Sequence, residues 1–142
     1  MRKTLLLALF ITLLGCAARY GNFMRNTTQA NDIKMADDVA KKLVTLYPPA
    51  RTRFDLQHAT SDFFGTCLVK SMRTKGYAIL EHKSRRKADT AGVPLSYAVD
   101  RLKDSGLYRI TVFINHQQSL NRVYKVAQDG VLYPVGYWVR KE

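Results

Sequence analysis

Leu120-Asn121-Arg122-Val123-Tyr124-Lys125-Val126-Ala127-Gln128-Asp129-Gly130-Val131-Leu132-Tyr133-Pro134-Val135-Gly136-Tyr137-Trp138-Val139 is the stretch that decides the fold. Leu120, Arg122, Tyr124 and Val126 fall on alternate positions, and so do Val131, Tyr133, Val135, Tyr137 and Val139. A period of two puts each set on one face of a strand. Asp129-Gly130 between them is the strongest short hairpin signal, because the tight turn needs residues that tolerate positive φ. Pro134 has no N–H to give to a ladder, so the last strand is expected at a sheet edge or to carry a bulge.

Working back along the chain, Tyr108, Ile110, Val112 and Ile114 alternate in the same way, and Pro94 to Leu102 carries Leu95, Tyr97 and Val99 on one face. Lys103-Asp104-Ser105-Gly106 supplies the turn between them. Before this meander the period changes. Phe63, Phe64, Cys67, Leu68 and Met72 form a helical stripe that begins at Thr60-Ser61-Asp62 and ends at Gly76, the expected left-handed residue at a helix C-terminus. Tyr77 to Glu81 leaves that helix as a strand, and Arg51 to Gln57 alternates before it. Met35, Ala36, Val39, Ala40, Leu43, Leu46 and Tyr47 make an earlier helical stripe, capped at Asn31 or Asp32 and stopped by Pro48-Pro49. The pattern predicts an α+β domain: two helices on one face of a mainly antiparallel sheet of about five strands.

The chain carries a formal charge of +12, which favours anionic partners. Lys83, Arg85, Arg86 and Lys87 concentrate in the polar segment that Gly92 and Pro94 close. They are candidate anionic contacts. A solvated loop attracted to phospholipid head groups or an acidic protein patch is preferred here over a DNA contact. No catalytic constellation stands out. His58, His82 and His116 lack metal-ligand spacing and fall at the ends of elements, where solvated positions near turns are expected. Cys67 lies on an apolar stripe and is expected to be buried and inert. Tyr133, Tyr137 and Trp138 are the candidate partner contact, since Tyr and Trp offer large, rigid contact area.

The N-terminus has a different logic. Arg2 and Lys3 precede an apolar run from Leu5 to Leu14. That run is too short to span a bilayer, which takes roughly 20 apolar residues, and has the length of a secretory h-region. It stops at Leu13-Leu14-Gly15-Cys16, which resembles a bacterial lipobox. The resemblance implies cleavage before Cys16, diacylglyceryl attachment to its thiol and fatty acylation, such as palmitate, of the new amino group. With Ala17 following, it also implies sorting to the outer membrane, with the domain in the periplasm. The expected organisation is a signal peptide over 1–15, a lipidated tether over 16–32 and the folded domain over 33–142.

Tyr47-Pro48-Pro49-Ala50-Arg51-Thr52-Arg53-Phe54, Phe64-Gly65-Thr66-Cys67-Leu68 and Arg73-Thr74-Lys75-Gly76-Tyr77-Ala78-Ile79-Leu80 resemble, in that order, the TrbH family of conjugal transfer lipoproteins. The resemblance implies a non-enzymatic structural part of a type IV secretion system, acting in mating-pair formation. It implies other transfer proteins as partners, no cofactor and no catalytic residues. The competing expectation is an envelope lipoprotein that binds anionic peptidoglycan or regulates a cell-wall enzyme.

Overall fold

The computed structural model describes residues 18–24, 27–83, 92–103 and 105–142. Its elements are β1 (Gly21–Asn22), α1 (Gln29–Leu46), β2 (Arg53–Leu56), α2 (Phe63–Thr74), β3 (Ala78–Leu80), β4 (Val93–Leu102), β5 (Leu107–Ile114), β6 (Gln118–Val126) and β7 (Leu132–Lys141). A short 3₁₀ turn at Pro49–Arg51 joins α1 to β2.

The α+β class and the two helices match the sequence pattern, but the sheet does not. Among the described residues it has seven strands in the order β3-β2-β4-β5-β6-β7, with β1 also paired to β4, and it is mixed. β4 through β7 form the expected antiparallel meander, whereas β2 pairs parallel with both β3 and β4, and β1 pairs parallel with β4. The reason is topological. A strand followed by a helix that returns the chain to its starting end must enter the next strand in the same direction. β2-α2-β3 is such a unit. Gly21 and Asn22, within the segment read as a tether, extend the edge of β4 beyond the point where β2 leaves it.

Both helices cover one face of the sheet. Leu95, Tyr97 and Val99 of β4 stand in register with Ile114, Val112 and Ile110 of β5, and all six are buried. Leu120 and Tyr124 of β6 continue that face. Met35, Val39 and Leu43 of α1 and Phe64, Leu68 and Met72 of α2 close over it as one core. Removing this apolar area from water is the main stabilising term.

Polar pins fix the helices on the sheet. Asp38 of α1 accepts from Arg122 Nη1 at 2.9 Å and from the Tyr124 hydroxyl at 2.5 Å. Over α2, the Phe64 ring meets Tyr97 edge-on at 5.1 Å. α2 starts as expected, with Asp62 as its cap, and ends before Gly76 at φ 93°. α1 starts earlier than expected. Thr28, not Asn31 or Asp32, is its cap, accepting from the Asn31 N–H at 3.3 Å. That leaves the Asn31 side chain free for another task.

Candidate docking surface

β7 closes one end of the sheet, pairing with β6 through Val126↔Leu132, Val123↔Val135 and Asn121↔Val139. Between the last two pairs the register shifts, and Gly136 there has a φ of 80°. The two expectations for Pro134 are therefore met together: the strand is an edge, and its ladder is broken just beyond the proline.

Asn31 anchors the start of this strand to the first turn of α1. Its Nδ2 donates to the Gly130 carbonyl at 3.2 Å, and its Oδ1 accepts from the Leu132 N–H at 3.2 Å. One amide side chain thus satisfies a donor that an edge strand would otherwise leave open. Asn31 was read only as a cap. Its partner lies a hundred residues away, and nothing local in the sequence signals that.

The three aromatic residues nominated as a contact separate onto different surfaces. Tyr137, in the break, is 92% exposed. Tyr133 is 46% exposed and braced. Its hydroxyl donates to Asp129 Oδ2 at 3.1 Å, and Lys34 Nζ lies 4.7 Å from its ring centre. The nearby Asp129 carboxylate raises the Tyr133 hydroxyl pKa. Trp138 turns inward instead, half-buried against the core, with the Arg122 guanidinium 5.6 Å over its ring. Trp138 is therefore a supporting residue. The exposed stripe is completed by Val135 at 47% and Val139 at 53%. Both valines were visible as alternating residues, but alternation does not say which face the helices take.

The remaining nominated residues are placed as follows. Lys83 is exposed just after β3, while Arg85, Arg86, Lys87 and Cys16 lie outside the described residues. Cys67 is not fully buried: it is partly exposed on α2, beside a groove it shares with Ile33 and Phe63. Partial burial raises its thiol pKa. His82 and His116 are exposed, as a turn position suggests. His58 differs. Its Nε2 accepts from the Tyr97 N–H at 3.2 Å, which leaves the proton on Nδ1, 3.0 Å from the Ala59 carbonyl. Burial lowers its pKa, so the neutral ring serves as a structural link. Among the described residues, no group of three His, Cys, Asp or Glu side chains could hold a metal ion.

The short motifs noted in the sequence meet in space. The Tyr77 hydroxyl donates to the Tyr47 carbonyl at 2.5 Å, and the Phe54 ring lies between those of Tyr47 and Tyr77 at 5.8 and 5.1 Å. A side chain at Gly76 would touch Pro49 at 3.6 Å. At the other motif, Gly65 gives the Tyr97 phenol room against α2. These residues build the packing that holds α1, α2 and the sheet together.

A family model described as conjugal transfer protein TrbH matches residues 17–142. No curated protein and no solved structure matches the chain.

Proposed function

The chain belongs to the TrbH family of conjugal transfer proteins, and on that premise we propose that it is a structural lipoprotein of a conjugative type IV secretion apparatus. Acyl chains on Cys16 hold it at the outer membrane, and its periplasmic domain works by assembly with other transfer proteins. Its contribution is mechanical, not catalytic, and needs no cofactor.

One observation carries the assembly reading: β7 presents an interrupted edge with Val135, Tyr137 and Val139 bare beside it. An edge strand with exposed aromatic and aliphatic side chains is a liability unless a partner covers it. A strand or loop of another transfer protein could do so by adding to the edge. The polar groups inside the domain support the same reading, because Asp38, Asp62 and His58 are each engaged in bonds that hold elements together. The anchor rests on the Leu13-Leu14-Gly15-Cys16 stop after a signal-length apolar run.

The test is a mating assay with Tyr137→Ala and Val139→Ser donors, beside a pull-down from detergent-solubilised donor cells and thermal melting of each variant. Folded variants that transfer DNA poorly and lose transfer proteins from the pull-down support the docking surface. Folded variants with normal transfer and normal partners reject it. Cys16→Ser tests the anchor separately, through incorporation of labelled fatty acid and release from membranes.

A further inference from the structure

The segment between the acylation site and the domain is held by the sheet. The Tyr20 ring meets Phe113 edge-on at 5.4 Å and stacks on His58 at 5.6 Å. Gly21, at φ 125°, then turns the chain into β1. Gly21 and Asn22 pair with Ala98 and Val99, and the Phe23 N–H donates to the Val99 carbonyl at 2.8 Å. Ahead of the ring, Arg19 lines a shallow cavity of about 180 Å³ with Pro94, Phe113 and His116. β1 and His58 lie along the edge of β4, while Arg19, the contact of Tyr20 with Phe113 and the cavity lie on the face of the sheet opposite the helices, at the end that carries the β5–β6 turn.

Chain length sets how far this corner stands from the anchor. Cys16 is three residues before Arg19. A fully extended chain covers at most 3.3–3.6 Å per residue, so the two are separated by no more than about 11 Å. The glyceryl group on Cys16 would lie at the level of the lipid head groups. Arg19 would then lie at or just outside the head-group layer, which adds roughly 5–7 Å to each side of the hydrocarbon core. The charge of the corner fits that neighbour. Arg19 is exposed, and so is Lys141, which reaches the same row of the sheet through Phe113↔Ser119 and Ser119↔Lys141.

We propose that residues 18–24 are a strap and not a spacer: they hold the domain against the phospholipid surface, with the corner formed by Arg19, Phe113 and the β5–β6 turn facing the head groups. The proposal rests on acylation of Cys16 and adds an orientation to it. β7 lies two strand spacings from β5, about 10 Å across the sheet. Partners that dock there would therefore meet the domain close to the membrane, in one fixed orientation.

The experiment uses the full acylated chain in vesicles of phosphatidylethanolamine and phosphatidylglycerol containing lipid with a nitroxide on its head group. In a Cys67→Ser background, a fluorophore is placed at Gln117→Cys, in the β5–β6 turn, or at Lys103→Cys, beyond the opposite end of β5. The label at position 117 is expected to be quenched several-fold more than the label at 103. Inserting about twelve Gly and Ser residues between Ala18 and Arg19 lets the anchor reach roughly 20 Å and should abolish the difference while acylation persists. Equal quenching of the two labels in acylated protein without the insertion overturns the proposal. So does protection of position 117 by a co-purified protein in place of lipid. Absence of fatty acid on Cys16, measured by mass spectrometry, overturns the lipoprotein reading itself and is distinct from both.

Discussion

The Tyr97 hydroxyl donates to Asp62 Oδ2 at 2.5 Å, while the other oxygen of the same carboxylate accepts the Gly65 N–H at 2.8 Å. One carboxylate therefore caps α2 and ties it to β4. The bond fits only because position 65 lacks a side chain: a Cβ there would fall 2.1 Å from the phenol oxygen.

Gly65→Ala is expected to destabilise the domain by about 1–3 kcal/mol, as overpacking at a closed site does. Tyr97→Phe should cost about 1.5–3 kcal/mol through loss of a bond to a charged acceptor. The double variant should cost less than the sum, because removing the hydroxyl makes room for the added methyl. Urea unfolding of the four proteins measures the coupling. Strict additivity would show that the clash is absent.

The Tyr77 phenol is pushed up to about 12 by burial. A hydroxyl that resists ionisation in the folded state keeps its full contribution below its ordinary value near 10 and loses it as pH rises towards 12. Thermal melting should therefore show stability falling across that range. Tyr77→Phe should lose about 1 kcal/mol at neutral pH, where the bond to the Tyr47 carbonyl is missing, and should decline less steeply in alkali. An unchanged alkaline slope in the variant would place the titration elsewhere.

Trp138 and Tyr137 should behave differently despite being neighbours. Trp138→Ala removes half-buried area from the core and the ring beneath Arg122, and is expected to cost about 2–3 kcal/mol, below the range for fully buried tryptophan. Tyr137→Ala should leave the melting temperature within a degree or two, as exposed substitutions do. Circular dichroism melts decide between them. Equal losses would mean that Tyr137 is packed.

Cys67 should react with a water-soluble maleimide in the native protein, but more slowly than an unfolded control. Its partial exposure allows attack, and its raised pKa limits the thiolate. Rapid native labelling, or none until denaturation, would contradict the half-open site.

The helices and the meander were legible because their apolar periods are long and regular. The parallel strands were not. Arg53–Leu56 and Ala78–Leu80 are too short to announce a direction, and Gly21–Asn22 has no period at all. Direction there is set by the α2 connection and by the free edge of β4. The candidate surface was half legible. Tyr133 and Tyr137 could be nominated from residue type, but residue type alone also drew in Trp138, which takes the face of β7 that carries the buried Leu132 and packs on the core. Asn31 shows the same limit, since its role depends on contact between the two ends of the chain.

The break in β7 also bears on how copies of this protein could multiply. A strand with an unbroken edge can template another along its whole length, and that one a third, which is how open-ended stacks begin. Pro134 removes a donor, and the register shifts near Gly136, whose φ is 80°. Such an edge can accept one short, shaped insert but cannot seed a continuous cross-β array. Wherever copies of the chain meet, this small defect in the ladder favours assembly that closes after a fixed number of contacts over growth without end.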